Sequence, residues 1–300
     1  MKTTYLIEDL SRFIHSKIPS FHGTIEQLSE GHSSQAVCFE TDDGLRLVLR
    51  VRNDENALLA DKYAYEHFSS NIPIPKAIDT GIFPLGGYYI ISSFSPGQTA
   101  NILDSALFDN VLPLIQDLLS NIFHKDISNT KGYGYIDVST GNASADSWKQ
   151  SLLDELKELN IEALKEHAQM LDIDIDIIDI LLFDFNSNLK YASEKRRLLH
   201  GDPGSDNLTI NNGQVSAIFD WEQMSYGDWA RDFARFGYYK TSDYGNIRTF
   251  GQKYGLETEY LDKRVKLYQA IYALRDIEFA SNQHNEKLTR FIKAKLAEII

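Results

Sequence analysis

One cysteine in 300 residues excludes an internal disulfide, and the simplest expectation for such a chain is the cytoplasm, where thiols stay reduced. Cys38 stands between Val37 and Phe39 in a strand-like run, where a thiol packs as a small apolar side chain. No apolar run approaches the ~20 residues that cross a bilayer, so no membrane segment is expected. The opening MKTTYLIEDLSRFIHSK lacks the long apolar core of a secretory signal. Its Tyr5, Leu6, Leu10, Phe13 and Ile14 recur at helical spacing instead. Low-complexity tracts and internal repeats are also lacking. Basic residues are the scarcer charge: 30 Lys and Arg against 43 Asp and Glu give a formal net charge of −13. That balance argues against nucleic-acid binding and favours a cationic partner, or serves solubility alone.

What is present is the composition of a globular protein, 43% hydrophobic and 24% charged, with enough apolar material for a sizeable core. The length suits two lobes around a cleft. The pattern changes once along the chain. Residues 25–51 read as consecutive antiparallel strands broken by SEGHSS and TDDG. A helix is expected over 56–70, an extended connector at NIPIPKAIDTG, where Pro73 and Pro75 forbid helix, and a last buried strand at YYIISSF. Beyond SPGQT the chain turns helical, with helices expected near 102–126, 147–168, 174–194, 229–240, 259–280 and 284–298. The predicted fold is α+β, with lobes at 1–94 and 95–300.

One strand-rich island interrupts the helices: LLHGDPGSDNLTINNGQVSAIFDWE. Within it, NNG at 211–213 supplies residues that tolerate positive φ in a hairpin turn. The hairpin brings Asn207, at the start of one strand, near Asp220, at the end of the other. Asp202 lies just upstream, in a loop held between two apolar runs, where chemistry tends to sit. A magnesium ion takes oxygen ligands and keeps waters and substrate phosphates, so one amide oxygen and one carboxylate suffice to hold it. A second carboxylate, off the metal, takes or orients the proton of an attacking hydroxyl. These residue types therefore fit phosphoryl transfer, with Asp202 as base, Asn207 and Asp220 on the metal, and His200 packed below the loop. Either segment alone is equally compatible with a turn or a cap.

HGDPGSDN and IFDWE resemble the catalytic and metal-binding segments of aminoglycoside phosphotransferases, relatives of the protein kinases. The likeness extends through LSEGHSSQAVCFE, LVLRV, DKYAYEHF and NIPIPKAIDTG, covers roughly residues 25 to 240, and is strongest to the branch acting on hygromycin B. It implies a bilobal protein-kinase-like fold: a small antiparallel-sheet nucleotide-binding lobe with one main helix, and a larger, mostly helical lobe for catalysis and the acceptor. It further implies ATP or GTP as phosphoryl donor with Mg2+, and a monomer is expected. Gly31, His32, Ser33 and Ser34, through Gln35, would form the turn over the phosphates. On its own EGHSSQ is a hairpin turn. Ser92, Ser93 and Phe94, through Ser95, match the hinge that meets the nucleotide base. Arg50 stands where many relatives carry a lysine, with Asp61 the first candidate for its acidic partner and Glu66 the second. Asp228 and Asp232 are expected to be structural.

For a polycationic aminocyclitol the acceptor pocket should carry carboxylates. Glu222, beside the metal segment, is the first candidate, followed by Asp276 and Glu278, which also fit solvated helix positions. Trp221 and Tyr238 suit either a sugar face or the core. Two other readings stay open: a kinase of a metabolite alcohol such as a sugar or a choline-like or amino alcohol, and a catalytically silent nucleotide-binding protein.

Overall fold

The computed structural model describes residues 4–28, 34–239, 245–283 and 286–299. The chain opens with α1 (Ile7–Lys17), β1 (Phe21–Gln27), β2 (Ser34–Thr41), β3 (Arg46–Arg52), α2 (Glu55–Phe68), β4 (Ala77–Ile82), β5 (Tyr88–Ser93) and β6 (Gln98–Thr99). There follow α3 (Ser105–Phe123), β7 (Gly134–Tyr135), α4 (Trp148–Glu158), α5 (Ile161–Met170), α6 (Asp176–Asn188), β8 (Arg197–Leu199), β9 (Leu208–Asn211) and β10 (Gln214–Ile218). The last elements are β11 (Ser225–Gly227), α7 (Ala230–Tyr239), α8 (Ile247–Lys253), α9 (Leu261–Gln283) and α10 (Glu286–Ile299). Two compact units result, Met1–Leu114 with Asp206–Glu222, and Ile115–Ser205 with Gln223–Ile300.

The first unit is built on an antiparallel sheet ordered β1-β2-β3-β5-β4. Strand β3 shows why it forms: in RLVLRVR, Leu47, Leu49 and Val51 alternate onto one face and are buried, because successive side chains of a strand point to opposite sides. That face joins Leu10, Phe13 and Ile14 of α1 in one cluster, with the Phe13 ring edge-on to Phe83 at 4.8 Å and to Tyr89 at 4.7 Å. Each such side chain contributes about 2 kcal/mol by leaving water. The same alternation turns Arg50 to the other face. Helix α2 begins at Asp54, whose side chain accepts from the Asn56 amide, and packs on β4 and β5. Cys38 is buried within β2, and burial pushes its thiol up, the state of an unreactive core cysteine.

The hairpin β9–β10 belongs to this unit. Asn212 and Gly213 connect its strands with φ of 50° and 73°, Asn211 pairs with Gln214, and β6 flanks β9. The Ile218 amide donates to the Pro73 carbonyl at 2.9 Å, tying the hairpin to the connector that follows α2.

The second unit carries a sheet ordered β7-β11-β8 and packs α5, α6, α7 and α10 around α9. The single helix expected over 147–168 is two. The Asn160 side chain accepts from the Ala163 amide and starts α5 afresh, since a side chain competing for orphan helix donors favours a new N-terminus. Helix α8 was not expected; Asn246 caps it through the Arg248 and Thr249 amides. Strands β7 and β11 also interrupt the helical half outside the expected island, being too short for alternation to register. No described helix is long and apolar enough to cross a membrane.

Candidate active site

In the first unit the chemistry gathers where β3, α2 and the hairpin meet. Arg50 forms an ion pair with Asp61 of α2, so the first of the two candidate partners is the one engaged, while Glu66 lies 4.0 Å from Lys62 on the exposed side of the helix. The Asp61 carboxylate also accepts from the Trp221 amide at 3.0 Å. One side chain thus joins the strand arginine to the backbone immediately after Asp220. Burial pulls the Arg50 guanidinium below its ordinary value; Asp220 and Glu222 oppose that, and Arg52 adds to it. Asp220 has φ of 64°, a left-handed conformation that costs a non-glycine residue of order 1–3 kcal/mol and tends to be kept at functional positions.

Asn207 closes a short 3-10 turn and leads into β9. Its carbonyl accepts from the Phe219 amide at 2.9 Å, which holds the Asn207 stretch beside the residue preceding Asp220. An amide oxygen and a carboxylate so placed fit a hard divalent cation. Among the described residues no three His, Cys, Asp or Glu side chains cluster as a metal site, and the two-ligand set suits magnesium, which retains water and phosphate oxygens.

Ser92, Ser93 and Phe94 end β5 and lead out of it. The Ser93 amide donates to the Lys76 carbonyl at 2.9 Å, and the Phe94 amide to the Arg46 carbonyl at 3.1 Å, so both amides are committed to the sheet. The Phe94 ring carries the Arg46 guanidinium 3.8 Å from its centre. Gly31, His32 and Ser33 lie outside the described residues. Ser34 opens β2 opposite Arg52, and the next side chain, Gln35, is buried and brackets the Tyr5 backbone through bonds of 2.8 and 3.1 Å.

In the second unit the loop bearing Asp202 is fixed from below. The His200 and Gly201 amides donate to the two carboxyl oxygens of Asp232 at 2.8 and 3.0 Å, and the Asp202 amide donates to Nδ1 of the fully buried His200 at 3.2 Å. Gly201 has φ of 87°, and a Cβ there would come within 2.1 Å of the Gln223 carbonyl oxygen, so the turn requires glycine. Burial pushes the Asp232 carboxyl up to about 6, while the two amides, Arg231 and Arg235 pull it down. Asp228 is likewise internal: it receives Nε of Arg264 at 2.7 Å, the Tyr268 hydroxyl at 2.6 Å and the Ala230 amide at 3.1 Å. Asp228 and Asp232 are therefore structural, as the pattern implied. Asp202 itself accepts from Nε of Arg235 at 2.7 Å. Sequence reasoning missed Arg235; its only signal was a basic residue one helical turn beyond Asp232.

The five proposed acceptor residues divide. Glu222 is 40% exposed and accepts from Arg52 at 3.1 Å. Asp276 and Glu278 are half-buried on α9. Trp221 and Tyr238 are 0% exposed, and here the expectation of a sugar face is corrected: the Trp221 ring lies 6.2 Å from Phe68 and that of Tyr238 6.1 Å from Tyr272. Both are core side chains here, because apolar burial outweighs what exposed stacking would contribute.

A small antiparallel sheet with one main helix, a helical second region, and an Asp…Asn…Asp series on a loop and hairpin define a kinase-like phosphotransferase fold. The chain belongs to the phosphotransferase enzyme family, whose model matches residues 24–265. It is 28% identical over 234 residues to hygromycin-B 4-O-kinase of Escherichia coli, an alignment spanning 73% of this chain and 63% of that protein. Among solved structures it is similar to a thermostable mutant of aminoglycoside phosphotransferase APH(4)-Ia in a ternary complex with AMP-PNP and hygromycin B, at 24% identity, 97% of each chain and a TM-score of 0.83. A GDP and kanamycin complex of APH(2")-IIIa matches at 17% identity over 97% of each chain, with a TM-score of 0.72.

Proposed function

We propose that this chain is an ATP-dependent O-phosphotransferase acting on a hydroxyl of a hygromycin B-like aminoglycoside, thereby conferring resistance. The observation that carries the reading is the juxtaposition of Asn207 with the end of β10 before Asp220, with Asp202 five residues upstream on a loop anchored to His200 and Asp232. Support for the acceptor comes from the kinship to a hygromycin-B kinase and from the bound molecules of the APH(4)-Ia complex. The nucleotide of that complex favours ATP over GTP as donor.

In this reading residues 1–94 serve the nucleotide and 95–300 serve catalysis and the acceptor, in a monomeric cytoplasmic enzyme. Arg50, steadied by Asp61, meets the donor's phosphates as the usual lysine does elsewhere, with a planar fork in place of a point charge. Asn207 and Asp220 hold magnesium, which supplies neutralisation of phosphate charge. Asp202 orients the acceptor hydroxyl and takes its proton as the oxygen bonds the γ-phosphorus. The bond from that phosphorus to the β–γ bridging oxygen breaks, and ADP and a phosphorylated acceptor result. Glu222, Asp276 and Glu278 add negative charge toward a cationic acceptor.

The test is a coupled ADP-release assay across an aminoglycoside panel, with turnover of hygromycin B expected to exceed that of kanamycin and neomycin. Inactivity on the whole panel beside robust turnover of a metabolite alcohol would overturn the resistance reading. Inactivity on every acceptor beside tight nucleotide binding would point to a silent binding protein.

A further inference from the structure

Arg235 is not required by the proposed reaction, yet it occupies the carboxylate on which that reaction turns. Its Nε donates to Oδ1 of Asp202 at 2.7 Å, its Nη1 lies 3.4 Å from Oε1 of Gln223, and its guanidinium carbon stands 5.4 Å from the centre of the Tyr272 ring. The side chain is 16% exposed against 30% for Asp202, so the cation is the deeper member of the pair. Three contacts of different kinds, a charge-assisted hydrogen bond, an amide and an aromatic face, leave the planar group little freedom to turn.

Two consequences follow from that placement. An Nε hydrogen bond to one oxygen sets the plane of the carboxylate, and a base that must meet a hydroxyl in line with phosphorus depends on that plane. The guanidinium also offsets the charge of Asp202, so the carboxylate draws an ammonium group far less than an unpaired one would. Other cations stand within the same unit: Arg231 donates to the buried Glu155 at 2.7 Å, and Arg275 is ion-paired with Glu155 at 2.8 Å and with Glu158 at 3.7 Å. Arg235 is the member of this group whose partner is the reacting carboxylate.

We propose that Arg235 is a positioning and specificity-determining residue: it holds Asp202 in one orientation and tunes the hydroxyl subsite to acceptors with no ammonium group adjoining the reacting hydroxyl. Amines that such an acceptor carries elsewhere are met by the other carboxylates. This inference rests on the phosphotransferase reading.

The experiment compares the full-length wild type with Arg235→Gln and Arg235→Lys. The acceptors are an amine-bearing aminoglycoside that the wild type turns over and its derivative N-acetylated beside the reacting hydroxyl. The wild type should favour the acetylated partner by kcat/KM. Arg235→Gln should shift that ratio toward the amine-bearing partner by about tenfold, as removal of one nearby cation allows, and lower kcat with little change in the nucleotide's KM. Arg235→Lys keeps the charge without the fork, so the ratio should hold while kcat falls. A wild-type ratio in Arg235→Gln, or unaltered kcat in both variants, overturns the proposal. If Arg235→Gln does not fold, Arg235→Lys decides alone, because unchanged kcat in it removes the positioning role. Failure of the wild type on every acceptor would instead strike the phosphotransferase reading.

Discussion

The two units hold their candidate carboxylates by opposite means. Around Asp220 the supporting acid, Asp61, faces a cation: it and Arg50 are 15% and 22% exposed, and both are within reach of exchange with a ligand's charge. Below Asp202 the supporting acid, Asp232, is fully buried and bonds two backbone amides. A pair of opposite charges near a surface can trade partners when a phosphate arrives, whereas a carboxylate saturated by amides in the interior fixes backbone geometry and changes little. The first arrangement suits binding and the second suits positioning.

The largest effects should separate the two functional acids themselves. Asp220→Ala is expected to abolish turnover and to weaken magnesium-nucleotide binding, which loses its principal carboxylate. Asp202→Ala should lower kcat by about 100-fold or more while nucleotide affinity survives. Calorimetric titration with magnesium and a nonhydrolysable ATP analogue, beside steady-state kinetics on folded variants, reads both. If the two variants have interchangeable effects on nucleotide affinity, the division of labour between the units is wrong.

A smaller effect is expected at Asp61. Asp61→Asn keeps an oxygen for the Trp221 amide but removes the charge facing Arg50, so the nucleotide's KM should rise about tenfold with the acceptor's KM unchanged. An equal rise in both would place Asp61 among scaffold residues like Asp232.

Asp232 should leave its own signature in stability. Its carboxyl, raised to about 6, binds a proton more tightly in the folded than in the unfolded chain. The stability from that proton is therefore complete below the ordinary carboxyl range and is lost as pH rises from about 4 to about 6, by roughly 2–3 kcal/mol. Urea unfolding across that window should show the decline in the wild type and a flatter course in Asp232→Asn; parallel curves would remove burial as the dominant influence on this group.

The smallest change belongs to Glu222, which is exposed and shared with Arg52. Glu222→Gln should raise the acceptor's KM a few-fold, about what a partly screened charge contributes, and leave nucleotide binding alone. Steady-state kinetics at low and high salt would check it: the difference from wild type should shrink as salt rises, and an unaltered acceptor KM would take Glu222 out of the pocket.

Much of this was legible without coordinates. The β9–β10 hairpin followed from NNG, the alternation in LVLRV announced β3, and the spacing of Asp202, Asn207 and Asp220 pointed to the chemistry proposed for them. The break between α4 and α5 was not legible, since the helical spacing of Leu152, Leu156, Leu159 and Ala163 runs on across Asn160, and only the capping bond of Asn160 shows that the helix restarts. Trp221 and Tyr238 were readable either way, because an aromatic ring suits a core and a sugar face equally until its neighbours are known.

Local order in the chain determined what could form: strands where apolar residues alternate, a turn where Asn and Gly accept positive φ, and three oxygen-bearing side chains on one loop and hairpin. Such features depend on residues within a few positions of each other. Which charges meet across long separations was decided only by tertiary structure. Asp61 reaches both Arg50 and the amide of Trp221, Asp232 reaches the loop before Asp202, and Arg235 reaches Asp202 itself, because a charged side chain is buried only where the packed fold supplies its partner, and no periodicity in the chain records that encounter.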